Sequence, residues 1–408
     1  MRGLIPAYIM SKIEERTGYR MAEMVDIFAG PSTGAILNAA ITRRHPNNPK
    51  KLLYKARHLV RFYERDGHKI FPADHFREFR GILHDFNNRT LKISQLKSIF
   101  KHGHYDPQNL GESLKALYGD TKLGDSYSSL IIPAYNIDSE QLQVTEEIDE
   151  DDDTPARTQN NFMDKGGHAV WLKNIRTEDR LNTAHNNIPD VSLYDAVMAS
   201  TAAPTYFPCH HFSAYFDTMN KTRHYSAIDG GIFDNPCISY LGAIRRHIPK
   251  DHKLVMILLG TGHTNQSVTK DDWNRYGALG IVDPVNELPL INIFFHASES
   301  ALMETFEEEM GGHIYLFNKS MIENEDVPGA PSKQIDDASP ENLQNLKDFA
   351  QDIIDENAAE FDKVCDLLIQ NYLRRKTAKE EEENLPVKNT KGGFFSFLRG
   401  DKKKKDTA

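Results

Sequence analysis

Cysteine is scarce in this chain, and the three present, Cys209, Cys237 and Cys365, stand far apart. That spacing excludes a disulfide framework and the paired-cysteine zinc sites, and it favours a reducing compartment. No stretch approaches the roughly 18 consecutive apolar residues that a membrane-spanning helix needs. The opening Met1-Arg2-Gly3-Leu4-Ile5-Pro6 lacks the basic region, apolar core and small-residue cleavage site of a signal peptide. The expected location is therefore cytoplasmic or peripheral to a membrane. An excess of positive charge is missing too: 49 Lys and Arg against 59 Asp and Glu leave a net charge of -10, which argues against general nucleic-acid binding. Metal-ligand spacing is absent as well, since His102-x-His104 and His210-His211 lack the i, i+4 arrangement and carboxylate partner of common zinc sites.

What is present describes a globular α/β protein. The chain is 39% hydrophobic and 26% charged over 408 residues, enough for one large domain with appendages. Apolar, β-rich runs at 25–29, 130–137, 168–172, 225–228 and 254–260 alternate with helix-period segments at 49–66, 106–118, 192–199, 236–247 and 340–376. Such alternation predicts a three-layer α/β/α sandwich around a mainly parallel sheet. The longest helix enters through Ser339 and Pro340, and Asn357 interrupts its apolar stripe. Residues 4–13 read as an amphipathic helix with Pro6 in its first turn.

Two segments stand apart by charge. Residues 146–153 are nearly all acidic and are expected to form an extended surface loop; they lack the twelve-residue, glycine-bent spacing of a calcium-binding EF-hand. Beyond 372 the chain becomes a charged tail, expected to be flexible, that ends in Phe394, Phe395, Phe397, Leu398 and the lysines 402–405. Apolar side chains beside a lysine cluster suit an anionic membrane surface, and a solvated tail is the competing reading.

The run Ala29-Gly30-Pro31-Ser32-Thr33-Gly34-Ala35 lies between a strand-like and a helix-like segment. This is the context of a nucleophile elbow, in which a serine sits on a tight strand-to-helix turn flanked by small residues. Gly30 and Gly34 are expected to supply the room, and the helix after Ser32 presents its N-terminal amides to charge developing at the serine. Pro31 fixes φ just before the nucleophile. A serine hydroxyl also needs a group that accepts its proton. Asp229 follows the strand-like Tyr225-Ser226-Ala227-Ile228 and precedes Gly230-Gly231, so it is either that base or a turn cap. A Ser-His-Asp hydrolase is the alternative, with His247, His252, His263, His296 or His313 as the late histidine.

Together, Gly30-Pro31-Ser32-Thr33-Gly34 and Asp229-Gly230-Gly231 resemble the patatin-like phospholipase family. Supporting segments are 130–137, 199–208, 259–262 and 336–342, so the likeness runs from residue 2 to about 372. The resemblance implies an acyl hydrolase domain over 1–372 and a charged tail over 373–408. It implies Ser32 as nucleophile, Asp229 as proton acceptor, an acyl-enzyme intermediate, a phospholipid or other acyl lipid as substrate, and no metal or cofactor. The family's oxyanion turn, D-G-G-G-x-R-G, is represented by Arg2 and Gly3 alone, and the strand before it is absent from this sequence. Two expectations follow from that. Either translation starts upstream of Met1, which the survival of Ser32 and Asp229 favours, or the scaffold persists as a catalytically impaired, membrane-peripheral lipid-binding module.

Overall fold

The computed structural model describes residues 1–71, 105–138, 166–175, 188–245 apart from 205, 218, 219 and 235, then 248, 253–263, 269–275 apart from 272, 290, 293, 310–321, 329–334 apart from 333, and 336–384. The helices 4–17 and 21–24 come first (α1, Leu4–Thr17; α2, Met21–Met24), followed by β1 (Ile27–Ala29), α3 (Thr33–Ile41), the small hairpin β2 (Arg44–His45) and β3 (Asn48–Leu52), and α4 (Ala56–Ile70). Next are α5 (Pro107–Tyr118), β4 (Ser129–Asn136), β5 (His168–Lys173), α6 (Leu193–Thr201), β6 (His210–Phe216) and β7 (Lys221–Asp229). The short α7 (Pro236–Ser239), β8 (Met256–Leu259), β9 (Ile314–Phe317), α8 (Pro340–Glu356) and α9 (Ala358–Asn384) complete the order.

β4 is the axis of the sheet. β5 lies along one side of it, antiparallel from Ile131 to Asn136. On the other side β1 and β7 lie end to end: β1 pairs in parallel with Ser129, Leu130 and Ile131, and β7 pairs antiparallel with Ala134, Tyr135 and Asn136. β6 then joins β7 as an antiparallel hairpin. Parallel pairing, expected for the sheet, holds for β1 with β4 and for β8 with β9. Only long crossovers separate those strands in sequence, whereas β6 and β7 are joined by a connection too short for anything but an antiparallel pair.

Helical layers cover both faces of β4. Leu130, Ile132 and Ala134 belong to the large core beneath α1, α3, α6 and α8. Ile131 points the other way, into a second cluster with Ile175, Tyr240, Ala243, Ile244 and Met310. A strand apolar at successive positions is the signature of a sheet buried on both faces. Ser339 caps α8 by accepting from the Asn342 amide at 3.2 Å, with Pro340 at the first helical position, and the helix does break at Asn357. α9 runs on past 372, where composition places the tail, to Asn384. There the Arg375 guanidinium donates to the backbone carbonyls of Ala22, Glu23 and Val25, tying α9 to the entry of β1. No helix among the described residues is long and apolar enough to cross a membrane. The acidic run 146–153 and the tail beyond 384 lie outside the described residues.

One expected boundary moves: the helix predicted from 49 starts at Ala56, because 48–52 pairs as β3 with β2. Two strands add to the expected ones: β6, which alternates buried Phe212 and Ala214 with exposed His211, Ser213 and Tyr215, and β9, a four-residue apolar run.

Candidate active site

The end-to-end placement of β1 and β7 on β4 determines what meets what. β1 stops opposite Ile131 and β7 stops opposite Ala134, so both chain exits open over Ile132 and Pro133. Proline has no amide to leave unpaired in that gap. Pro133 instead offers a carbonyl, which accepts the Ser200 hydroxyl at 2.5 Å.

Ser32 occupies the first exit. Its φ of 53° and ψ of -122° put it in a region that non-glycine residues rarely adopt, as a serine held on an elbow requires. The strain is held by its surroundings. The Ser32 amide donates to both the carbonyl and the hydroxyl oxygen of Ser200, each at 3.1 Å, and the Pro31 carbonyl accepts from Gly34 and Ala35. Thr33 opens α3, and its own amide has no acceptor among the described residues. An unused amide directly after a nucleophile is the usual first donor to an acyl-transfer oxyanion.

The two elbow glycines differ in their roles. A methyl group on Gly30 would meet Gly34 Cα at 3.5 Å, an ordinary contact, and one on Gly34 would meet nothing within 4 Å. Backbone crowding therefore does not explain Gly34, contrary to the expectation from sequence. Its missing side chain leaves open space at the head of α3. Gly3 does the crowding instead: a methyl there would strike the Tyr63 hydroxyl at 2.1 Å and Thr33 Cβ at 2.8 Å. Gly3 thus packs directly against the residue after Ser32, while Arg2 holds the first turn of α1 through its carbonyl, which accepts from Ile5 at 3.0 Å.

Asp229 occupies the second exit, 1% exposed. Its Oδ1 accepts the Gly231 amide at 2.8 Å and its own amide donates to the Ala202 carbonyl at 3.0 Å. Gly230 permits the turn, because a methyl there would lie 2.4 Å from the Pro133 carbonyl oxygen. Burial pushes the Asp229 carboxyl up to about 6, against the opposing pull of the Ser32 hydroxyl and the Gly231 amide. The Ser32 hydroxyl thus faces the carboxyl, whose Oδ2 closes no hydrogen bond of ordinary geometry.

One stretch at the end of α6 grips both exits: Ser200 holds Ser32, and Ala202 holds Asp229. Sequence reading takes 199–208 only as a segment supporting the resemblance and misses this double clamp, which rests on the buried polar end of α6, Ser200 and Thr201. A cavity of about 80 Å³ is lined by Leu110, Met198, Ala202 and Phe207 among others. Of the late histidines, His263 bridges Ser320 and His313 is exposed before β9. Neither bonds to Ser32 or Asp229 among the described residues, and His247, His252 and His296 lie outside them. His210 does pair with Asp195 at 3.1 Å, but Ser192 there bonds to the carboxylate as a helix cap rather than to the imidazole. Among the described residues no group of three His, Cys, Asp or Glu could hold a metal ion.

With this geometry in place, comparison with known proteins is decisive. The model of the family described as patatin-like phospholipase matches residues 1–241. The chain belongs to the patatin-like phospholipase family. Patatin-like protein 2 of Arabidopsis thaliana is 25% identical to it over 382 residues, covering 87% of this chain and 80% of that protein. Patatin-like protein 2 of Oryza sativa subsp. indica is 24% identical over 89% of this chain and 83% of its own length. Patatin-T5 of Solanum tuberosum is 21% identical over 87% and 81%. For a patatin-like phospholipase the general activity supported is lipid acyl hydrolysis.

Proposed function

We propose that this patatin-like chain cleaves fatty-acid esters of glycerolipids with Ser32 and Asp229 as a catalytic dyad. The observation that carries the reading is the meeting of the strained Ser32 turn and the buried Asp229 carboxyl over the gap between β1 and β7. In the first step Ser32 Oγ attacks the ester carbonyl while Asp229 takes its proton. The tetrahedral oxyanion forms beside the Thr33 amide and the N-terminal end of α3, where the helix dipole favours negative charge. Collapse breaks the ester bond, and the lysolipid alkoxide leaves with the proton held on Asp229. Asp229, ionised again, then removes a proton from water as that water attacks the acyl-Ser32 ester; the acyl–oxygen bond breaks, Asp229 returns the proton to Ser32 Oγ, and the fatty acid leaves.

Burial suits Asp229 to this cycle. A carboxyl titrating at about 6 is ionised at neutral pH, yet is more basic than a solvent-exposed aspartate by about two pH units. In the same reading, the basic-aromatic end of the tail supplements contact with an anionic lipid surface. Fatty-acid release from mixed phospholipid vesicles tests the reading. The wild-type chain is expected to release fatty acid, and Ser32→Ala and Asp229→Asn are each expected to abolish release. Undiminished release from either variant rejects the dyad, and no release from the wild type leaves only the lipid-binding module.

A further inference from the structure

Residues 43–61 hold seven Lys or Arg and no Asp or Glu, in a chain whose net charge is -10. The fold keeps these cations together. Lys50 and Lys51 are exposed on β3, and the chain passes directly from there into α4, where Arg57 and Arg61 are exposed one turn apart. Lys55 caps that helix, and Arg20 comes alongside from the end of α1: Arg57, Arg61, Arg20 and Lys55 all act electrostatically on His58, which burial first and these cations next hold below its ordinary value. Lys50, Lys51, Lys55, Arg57, Arg61 and Arg20 form no ion pair among the described residues. The nearby carboxylates are committed elsewhere. Glu14 accepts the Met21 and Ala56 amides with its two oxygens, and Glu23 accepts the Arg20 amide.

Stability does not explain this arrangement. A helix N-terminus carries partial positive charge and favours acidic residues, yet the first turn of α4 holds Arg57 and His58 and no acid. Nη1 of Arg20 is buried without a hydrogen-bond partner. Glu14 acts electrostatically on Arg20 and Lys55 and faces the start of α4 through the Ala56 amide, which leaves Lys50, Lys51, Arg57 and Arg61 as exposed cations that an external anion stabilises.

We infer that the β3–α4 face is a docking surface for an anionic lipid bilayer. The cations spread over a hairpin and two helix turns without converging on a pocket, which suits many headgroups rather than one phosphate. The aromatic residue in the stretch, Tyr54, turns inward with its hydroxyl on the Leu117 carbonyl, so the face offers no stacking platform for nucleic-acid bases. The hairpin follows the C-terminal end of α3, about 14 Å along that helix from Ser32, so docking and turnover are separable. The choice of a lipid partner rests on the proposed hydrolysis of glycerolipids; the anion-binding face itself does not.

The test uses the full chain carrying Ser32→Ala, sedimented with phosphatidylcholine vesicles with or without one third phosphatidylserine. Binding is expected with phosphatidylserine only and is expected to fall as salt is raised towards molar levels. Lys50→Gln, Lys51→Gln, Arg57→Gln and Arg61→Gln combined, with the tail unchanged, should weaken it at least about tenfold, since each cation near such a surface contributes about fivefold. Lys363→Gln with Lys376→Gln, exposed cations of α9, should leave it unchanged. Thermal melting of the fourfold variant should be unchanged or higher, because cations leave the start of α4. Equal binding by the fourfold variant overturns the inference, as do equal binding to neutral vesicles, full competition by millimolar inorganic phosphate, or tighter binding to duplex DNA. If the wild type binds as stated but releases no fatty acid, the docking face stands and the hydrolase reading falls.

Discussion

The two turns that meet over Pro133 are built by opposite means. The Ser32 turn is partly open and strained, and it is held by backbone hydrogen bonds to Ser200. The Asp229 turn has ordinary φ but is almost wholly buried, and its perturbation is electrostatic. In the proposed dyad a nucleophile must be reachable by substrate, so the activation of Ser32 is stored in conformation. A base that never leaves the protein can instead be stored in low dielectric.

The largest effects come from removing the chemistry at either turn. Ser32→Ala and Asp229→Asn should each reduce kcat by about a thousandfold or more, with little change in KM for a short-chain ester. Their effects on folding should differ, which separates the two turns. Asp229 has a folded-state pKa raised to about 6 from 3.8. The folded state therefore holds its proton more tightly, and this contribution to stability is present below about pH 4 and is lost as pH rises through 6. Asp229→Asn should accordingly raise stability at pH 7.5, on the order of 1–3 kcal/mol, and change little at pH 4. Ser32→Ala should give no such pH-dependent gain. Denaturant melts at the two pH values check both expectations.

On the proposed dyad, the same carboxyl should set the pH profile. For the wild type, kcat/KM should rise with pH and level off above a midpoint near 6, as Asp229 becomes able to accept a proton. Activity thus increases over the interval in which this group withdraws stability. A flat profile between pH 5 and 7 would detach the catalytic base from Asp229.

Ser200→Ala tests whether the clamp at the end of α6 matters to one turn or both. The variant leaves the Ser200 carbonyl to hold the Ser32 amide but orphans the Pro133 carbonyl, a buried group whose loss of a partner costs about 1–3 kcal/mol. Misplacement of the elbow by a fraction of an ångström should lower kcat by about 10- to 100-fold. Asp229 is held by Ala202 and should titrate as before, so the midpoint of the pH profile should not move.

These turns also divide what was legible in the sequence from what was not. The elbow is local: glycines, proline, strand and helix lie within a dozen residues, and the α/β class follows from alternating apolar runs. The meeting with Asp229 is not local. It depends on two strands sharing one side of β4, a pairing that composition does not encode, although Pro133 in the middle of a buried strand is a trace of it. β6 was hidden by His210-His211 and its alternating polar positions, and β3 by a lysine-rich segment that reads equally well as helix. Gly34 shows the converse, a motif position found for a steric reason that the fold does not supply.

The smallest effect on turnover is expected five residues beyond the Asp229 turn. Asp234 is 7% exposed and burial raises its carboxyl to about 7, opposed by the Ser239 hydroxyl and the Trp171 indole N–H facing it. Its Oδ1 accepts from Ser239 at 2.8 Å, and its amide closes the turn onto the Gly230 carbonyl at 2.9 Å. Asp234 therefore resembles Asp229 in burial and titration, but the serine it faces, Ser239, is itself buried and sits in unstrained helical backbone. Asp234→Asn keeps an acceptor for Ser239 and removes a charge that the folded state bears above pH 7, so stability at pH 8 should rise by about 2–4 kcal/mol and converge with wild type near pH 4. Its kcat should stay within about twofold of wild type. If Asp234→Asn instead lost activity as Asp229→Asn does, burial and raised pKa alone would not distinguish the base, and the meeting with Ser32 would lose its claim to be what selects it.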